Sequence, residues 1–291
     1  MLFWLYGSTY FLVLVNKDNY LKPRTKFQRD LLVGIANVSV RMFLSVLGFF
    51  YVKFEEYDIH DFWADYEPIQ DTTNSAVMIS NHTSYLDMFV YLMAWECPSF
   101  LSKYSVSKIP IVSHVARLYQ TLFIKRKSAQ DRALLLEAIE ERVDLASKGE
   151  AGPIMIFPEG TTTNGRAMMK FKRGAFVHEK PIKVTSLYYS GDFLPCLDLT
   201  RAINSIFLIM CLPYSRITYK SIRQPVDPLW ILKKHGRKPG MEDNWEVIAK
   251  EVKELMCFAF GLDDCKMSFK EKCEFDCEVQ GLTKEQLFKR G

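Results

Sequence analysis

The sequence is poor in the features that mark non-globular chains. Glycine and proline number only 14 and 12 among 291 residues, and no repeat, Pro/Ser-rich linker or acidic tail interrupts the chain. Hydrophobic residues make up 48% and aromatic residues 14%. This composition excludes disordered, collagen-like and low-complexity proteins. We therefore expect one main domain with terminal additions, long enough to bury a real core.

The charge and the cysteine spacing argue against a nucleic-acid-binding protein and against a disulfide-stabilised secreted protein. The net charge is 38 − 34 = +4, too small to indicate a nucleic-acid-binding protein. The seven cysteines lack the spacing that is typical of the disulfide framework of a secreted protein, so we expect reduced thiols. Cys257, Cys265, Cys273 and Cys277 match no common zinc pattern and have no histidine beside them. We predict no metal site.

The first 52 residues are the most apolar part of the chain. Residues 1–15 lack a basic segment before the apolar run and a small-x-small cleavage site after it, so we interpret them as an uncleaved membrane-contacting segment. A basic stretch, residues 17–29, follows. Residues 31–52 then form an apolar run as long as a membrane helix requires, but Arg41 at its centre makes the free energy of insertion about neutral.

This balance leaves several arrangements open for residues 31–52. A monotopic helix, or a shallow hairpin with residues 1–15, is the arrangement we favour. A spanning helix pair and a helix wholly buried in a soluble core are the alternatives. The polar residues of the run recur every three or four positions, which indicates one helix face suited to packing on another helix or to the membrane interface. They are Gly34, Asn37, Arg41, Ser45 and Gly48.

From residue 75 onward, short apolar strands alternate with amphipathic helices, which predicts an α/β domain. Residues 75–80 are predicted to form a buried strand that leads directly to His82 and Asp87. On a continuous helix these two residues would lie about 140° apart. If a helix begins at Ser84, however, His82 can fold back toward Asp87, which would hold the imidazole in one tautomer and leave the other nitrogen as a general base.

A purely structural interpretation of the same residues stays open. Ser84-x-x-Asp87 has the spacing of a capping box, in which both side chains bind backbone N–H groups at the start of a helix. His82 would then be an ordinary polar loop residue.

Two later strands also end in polar residues. Residues 122–124 are followed by Lys125, Arg126 and Lys127, which indicate either a phosphate site or a solvated strand end. Residues 153–157 form an apolar strand that Pro158 terminates, and Gly160 permits a tight turn. Glu159 is therefore expected at the carboxyl end of a strand, where open α/β sheets bind their ligands.

Taken together, these segments resemble the first three motifs of the glycerolipid acyltransferases. The matching residues are His82-x4-Asp87, Phe123-Ile124-Lys125-Arg126 and Phe157-Pro158-Glu159-Gly160-Thr161. Residues 159–164 and 171–176 are also similar to the lysophosphatidylcholine acyltransferase branch, and the resemblance covers about residues 75–265. The fourth motif departs from the family pattern, since residues 181–184 carry only the first of its two prolines.

The resemblance implies a mixed sheet flanked by helices and a phospholipid-synthesising or phospholipid-remodelling enzyme. It would transfer a fatty acyl group from acyl-CoA, a co-substrate, to a lysophospholipid without any cofactor. His82 would be the base and Asp87 its partner, Arg126 would hold the acceptor phosphate, and Glu159, Gly160 and Thr161 would shape the acceptor pocket. From charge alone, we expect phosphates of CoA or lipid to be received by Lys170, Lys172 and Arg173.

We expect three segments: membrane-associated helices at residues 1–52, an acyltransferase domain at residues 53–262 and a C-terminal tail at residues 263–291. The expected location is a membrane of the endoplasmic reticulum, with a mitochondrial membrane as the alternative. A second hypothesis is a lipid-binding structural subunit of a larger membrane complex, contacted through residues 31–52 around Arg41.

Overall fold

The computed structural model of this chain describes residues 20–22, 25–69, 75–94, 98–109, 112–124, 129–190, 211, 216–281 and 283. The apolar segment 1–15, most of the basic stretch before residue 25 and the three cations at residues 125–127 lie outside these described residues.

Helices and strands alternate through most of the described chain. The helices are α1 (Lys26–Val46), α2 (Asp87–Met93), α3 (Val112–Leu118), α4 (Ala129–Ser147), α5 (Pro228–Lys234), α6 (Asn244–Phe260) and α7 (Phe269–Gln280). The strands are β1 (Tyr51–Tyr57), β2 (Val77–Ile79), β3 (Ser99–Lys103), β4 (Leu122–Ile124), β5 (Ile154–Ile156), β6 (Ala167–Met168), β7 (Ile182–Ser190), β8 (Arg216–Ile222) and β9 (Asp263–Asp264).

Seven of these strands form one mixed sheet in the order β1-β8-β7-β2-β5-β3-β4. Strands β7, β2, β5, β3 and β4 run parallel to one another, while β8 is antiparallel to β7 and parallel to β1. The α/β fold with a mixed sheet is therefore confirmed. Because β2 and β5 are parallel neighbours, the segments that follow them meet at the same edge of the sheet.

Helices cover both faces of the sheet, as the alternation of side chains along each strand requires. Val77 and Ile79 belong to one buried cluster, which includes residues of α4, α5 and α6. Met78 points to the opposite face and joins a second cluster with residues of α1 and α2. The short runs at β2 and β5 are buried on both faces, which explains why they contain only apolar residues.

Residues 31–52 do not form the single helix that their composition suggested. Helix α1 begins after a capping box formed by Thr25 and Gln28 and ends at Val46. Gly48 then adopts a positive φ of 86°, and strand β1 begins at Tyr51. Tyr51 and Val52 therefore pair with β8 through their backbones and do not continue the helix. None of the helices in the described ranges combines the length and the apolar composition that a membrane crossing requires.

The predicted polar stripe of α1 meets the neighbouring helix at one residue. Asn37 is buried, and its side-chain amide donates a hydrogen bond to the carbonyl oxygen of Met93, the last residue of α2. Arg41 is exposed, and Ser45 donates to the Arg41 carbonyl oxygen at 2.8 Å. The packed face of α1 is mainly apolar and includes Val40 and Leu44. Asn37 thus caps the helix whose first residue is Asp87.

Part of the segment after residue 262 is folded onto the rest of the molecule. Strand β9 pairs in parallel with β6, and helix α7 follows with a capping box formed by Ser268 and Glu271. Cys273, on this helix, is buried.

Candidate active site

The candidate site begins where β2 ends. After Ile79, the chain leaves the sheet, and the side chain of Asn81 takes over the pairing with β7: its Oδ1 accepts from the backbone N–H of Leu187 at 2.8 Å, and its Nδ2 donates to the Leu187 carbonyl oxygen at 2.9 Å. Asn81 is buried, so these bonds fix the start of the loop that carries His82.

His82 and Asp87 form a close pair. The Nδ1 atom of His82 lies 2.8 Å from Oδ2 of Asp87, and the His82 side chain is 22% exposed, whereas the Asp87 side chain is fully buried. A carboxylate only accepts, so Nδ1 carries the proton in this pair and Nε2 keeps its lone pair. This arrangement leaves one ring nitrogen available as a base.

The capping box predicted for Ser84 and Asp87 is present only in part, because the N-cap of α2 is Leu86, which has no side-chain cap bond. The Oδ2 atom of Asp87 accepts hydrogen bonds from the backbone N–H groups of Thr83 and Ser84 at 2.8 and 3.0 Å. The Ser84 hydroxyl accepts from the N–H of Leu86 at 3.1 Å. Helix α2 begins at Asp87, three residues later than Ser84, and this is why His82 lies in the preceding loop and reaches back to the carboxylate.

A further donor to Asp87 comes from a distant strand. Tyr189, near the end of β7, donates its hydroxyl to Oδ1 of Asp87 at 2.7 Å. Burial raises the pKa of Tyr189 well above its usual value, and Asp87 raises it further, so the hydroxyl keeps its proton. Sequence reasoning missed this residue, since no local pattern distinguishes it from Tyr188, which precedes it and is exposed.

The segment after β5 covers the imidazole. The ring of Phe157 stacks on the ring of His82, with centroids 4.0 Å apart and planes 14° apart. Phe157 is the first residue of the motif at residues 157–161, which follows β5, while the motif at His82 follows β2. The parallel pairing of β2 and β5 therefore brings these two motifs together.

Glu159 occupies the predicted end of the strand, but its carboxylate points into the protein. The residue is fully buried, and Oε2 accepts from the backbone N–H of Met169 at 2.9 Å, while Oε1 accepts from that of His82 at 3.4 Å. The carbonyl oxygen of His82 accepts from the N–H of Thr163 at 2.7 Å. Both backbone groups of His82 are therefore held by residues 159–163.

Gly160 and Thr161 form the turn after Glu159. Gly160 has a positive φ of 70°, and a Cβ atom added there would lie 2.3 Å from Nζ of Lys172. Lys172 crosses this turn, and its ammonium lies 3.8 Å from the ring centroid of Phe269, the first residue of α7. Thr161 is partly exposed.

The other cations of the predicted set are exposed. Lys170 and Arg173 lie at the surface, and Arg173 forms an ion pair with Glu242 at 3.5 Å. Arg126 lies outside the described residues, so its predicted contact with a phosphate stays a prediction. The structure thus brings His82, Asp87 and the 157–163 turn together.

Comparison with known proteins agrees with this geometry. A family model described as Acyltransferase matches residues 64–187, which include His82, Asp87 and the turn after β5. The lysophospholipid acyltransferase LPEAT1 of Arabidopsis thaliana is 27% identical over 274 residues, covering 88% of this chain and 65% of its own length. Lysophosphatidylcholine acyltransferase 1 of Danio rerio is 27% identical over 197 residues, covering 66% of this chain and 35% of its own length.

A crystal structure of the 1-acyl-sn-glycerophosphate acyltransferase PlsC from Thermotoga maritima is similar over 86% of this chain and 87% of its own, with 17% identity and a TM-score of 0.48. The chain spans less than two thirds of the length of the curated relatives named above. Residues 64–187 thus match the Acyltransferase family model, and they contain the paired motifs that resemble those of the glycerolipid acyltransferases.

Proposed function

We propose that this chain transfers a fatty acyl group from acyl-CoA to the free hydroxyl of a lysophospholipid. The observation that carries the proposal is the His82–Asp87 pair, in which a buried carboxylate binds Nδ1 of a partly exposed imidazole, while Nε2 bonds to none of the residues that the structure describes. The names of the relatives LPEAT1 and lysophosphatidylcholine acyltransferase 1 support a lysophospholipid as the acceptor. They give no support to the alternative of a non-catalytic lipid-binding subunit.

The reaction needs one base and balances without any cofactor. Nε2 of His82 accepts the proton of the acceptor hydroxyl while the hydroxyl oxygen attacks the thioester carbonyl carbon. The C–S bond then breaks, and the proton passes from the imidazolium to the departing thiolate, giving the acylated phospholipid and free CoA. Asp87 holds the tautomer and stabilises the imidazolium, as in other His–Asp pairs.

The residues around the pair have supporting roles in this proposal. Phe157 fixes the plane of the imidazole, and Glu159 and Thr163 hold the backbone of His82. Arg126, by resemblance, binds the acceptor phosphate. Lys170 and Arg173 are exposed cations that can meet the phosphates of CoA or of lipid.

The test uses the purified full chain with a mixture of lysophospholipids and acyl-CoAs, and mass spectrometry of the products. We expect acylated phospholipid and free CoA to appear in equal amounts, and neither to form with His82→Ala. A matched control is His235→Ala, because His235 also binds a carboxylate, that of Glu251 at 2.9 Å. It lies at the end of α5, which packs on the other face of the sheet from α1 and α2. Activity retained in His82→Ala, or lost equally in His235→Ala, would contradict the proposal.

We also propose that α1 lies in the membrane interface, the monotopic arrangement that the sequence favoured. The helix leaves one face of large apolar side chains exposed to solvent. They are Phe27, Leu31, Val38, Met42 and Val46. Their spacing of four or seven residues places them along one side of the helix, opposite the face that packs on the sheet. Such a face is typical of interfacial helices.

Vesicle flotation tests this arrangement. The double variant Val38→Asp/Met42→Asp is expected to weaken binding of the full chain to phosphatidylcholine vesicles, since charge opposes burial in the acyl region. Leu134→Asp, on an exposed position of α4, is the control and is expected to bind as the wild type does. Equal binding of the double variant and the wild type would contradict an interfacial α1.

A further inference from the structure

Tyr189 and Asp87 are joined across 102 residues of sequence by a buried hydrogen bond. Tyr189 is only 3% exposed, and its ring packs edge-on against Phe49 at a centroid distance of 6.1 Å. Its hydroxyl binds Oδ1 of Asp87, whereas His82 and the backbone N–H groups of the loop bind Oδ2. The other contact of Oδ1 is the Thr83 hydroxyl, at the longer distance of 3.4 Å.

We propose that Tyr189 is a positioning residue of the acyltransferase reaction, which sets both the orientation of Asp87 and the basicity of His82. The inference rests on the proposed function, in which His82 is the general base. Tyr189 does not reach the reacting atoms and acts through the carboxylate.

The first effect of the hydroxyl is geometric. A carboxylate rotates about its Cβ–Cγ bond unless both oxygens are held. The loop holds Oδ2, and Tyr189 holds Oδ1 through a short hydrogen bond to a charged acceptor, which is stronger than one between neutral groups. Because Asp87 is fully buried, no solvent is at hand to replace this donor.

The second effect of the hydroxyl is electrostatic. A donor at Oδ1 withdraws negative charge from the carboxylate and so weakens its attraction for a protonated His82. Removing the donor leaves more charge on Asp87, which stabilises the imidazolium and moves the protonation of His82 to higher pH. Among the described residues, the other ionisable groups facing this network are Tyr85 and Tyr91 near Tyr189, and Glu159 at the backbone N–H of His82. All three remain in place when the Tyr189 hydroxyl is removed.

The test compares Tyr189→Phe with Tyr66→Phe. Tyr66 is equally buried at 3% exposure, and its hydroxyl donates to the carbonyl oxygen of Pro225 at 2.6 Å in the other core cluster, away from His82. Both variants keep the aromatic ring. Tyr189→Phe loses one buried hydrogen bond, and Tyr66→Phe loses two, since the Tyr66 hydroxyl also accepts from the backbone N–H of Asp227 at 2.8 Å. A loss of packing or stability alone would therefore affect Tyr66→Phe at least as much as Tyr189→Phe.

Two readouts are needed for each variant. The first is kcat/KM for a lysophospholipid and an acyl-CoA as a function of pH. The second is the NMR titration of the imidazole of His82 in the free protein, with His82→Ala used for assignment. The NMR titration needs no substrate. A wild type that transfers no acyl group would thus refute the proposed function, while the coupling of Tyr189 to His82 would still be measured.

We expect Tyr189→Phe to lower kcat about tenfold, the size typical of one hydrogen bond to a charged group, with KM within about twofold of the wild type. The acid limb of the pH profile and the His82 titration are both expected to move up by about half a pH unit or more. Tyr66→Phe is expected to leave both pH curves unchanged. Coincident curves for Tyr189→Phe and the wild type, or equal shifts in the two variants, would overturn the proposal.

A second substitution keeps the hydroxyl, and it provides the test if the Tyr189→Phe protein does not fold. Fluorotyrosine incorporated at position 189 is a stronger hydrogen-bond donor of nearly the same size, so the His82 titration is expected to move to lower pH. A shift to higher pH, or none, would overturn the electrostatic part of the inference.

Discussion

The imidazole of His82 lies flat on the phenyl ring of Phe157, with 4.0 Å between ring centroids and an angle of 14° between planes. The contact joins the end of β2 to the end of β5. It restricts the rotation of the imidazole that remains possible when Asp87 holds only one ring nitrogen. An aromatic surface on one side also leaves Nε2 accessible only from the other sides of the ring. Phe157 is thus part of the positioning of the proposed base.

Phe157→Leu tests this role. The variant keeps an apolar side chain but loses the flat surface, so we expect kcat to fall roughly tenfold, in line with the cost of misplacing a catalytic group, and KM to change little. Steady-state kinetics of the full chain provides the measurement. Phe62→Leu is the control, since Phe62 is a partly buried ring that contacts Trp63 and Phe258 away from the site. Equal effects of the two variants would show that the stack is only packing.

Neutralising Asp87 is expected to lower kcat more than Phe157→Leu does. An amide at this position offers one acceptor where the carboxylate offers two, so Asp87→Asn no longer selects the tautomer with the proton on Nδ1. We expect kcat to fall by a factor on the order of 10³–10⁴, as found when the carboxylate of a His–Asp pair in serine proteases is neutralised. Asp58→Asn is a matched control, because Asp58 binds Nδ1 of His60 at 2.7 Å on the surface. Comparable losses in both variants would contradict the assignment.

Glu159→Gln distinguishes two roles for the buried carboxylate. If Glu159 holds the backbone, as its bonds to His82 and Met169 indicate, the amide leaves one N–H facing another donor. The free energy of unfolding should then fall by about 1–3 kcal/mol. Chemical denaturation measures this change, and the exposed Glu150→Gln is the control. A variant with unchanged stability and a raised KM for the acceptor would instead place Glu159 at the substrate.

The turn at Gly160 provides a prediction about strain and contact. Gly160→Ala and Gly236→Ala both place a Cβ at a positive φ, 70° and 64°, but only at Gly160 does that atom meet a neighbour, the side chain of Lys172. Gly236→Ala should cost about 1–2 kcal/mol of stability from backbone strain alone. Gly160→Ala is expected to cost more and to reduce activity as well. Equal stabilities would show that Lys172 moves aside freely.

Arg126→Lys tests the acceptor-phosphate contact that the resemblance implies. A lysine supplies a point charge in place of a bidentate guanidinium, so we expect the apparent KM for the lysophospholipid to rise while kcat stays close to that of the wild type. Arg223→Lys, an exposed arginine paired with Glu56 at 3.4 Å, is the control. Identical kinetics for Arg126→Lys and the wild type would show that Arg126 does not bind the acceptor.

The sequence by itself determined the parts of this protein that depend on neighbouring residues. The apolar runs at β2 and β5 predicted buried strands, and the residues after each run predicted the loops that carry His82 and Glu159. The His82–Asp87 pair was also predicted from local spacing, on the expectation that a helix beginning at Ser84 leaves His82 in the loop before it. The helix begins three residues later, at Asp87, and His82 still lies in that loop. The pairing of Asp87 with His82 and its bonds to the loop N–H groups, which appeared as alternatives, occur together because Oδ2 accepts from both.

Only the tertiary structure decided the contacts between distant segments. The strand order β7-β2-β5 puts Tyr189 on one side of the His82 loop and Phe157 on the other, and no periodicity in the sequence encodes that order. The inward direction of the Glu159 carboxylate and the end of α1 at Val46 are further cases. Apolar patterning specifies which residues are buried, whereas the hydrogen-bonding partner of a buried polar group depends on which strands become neighbours.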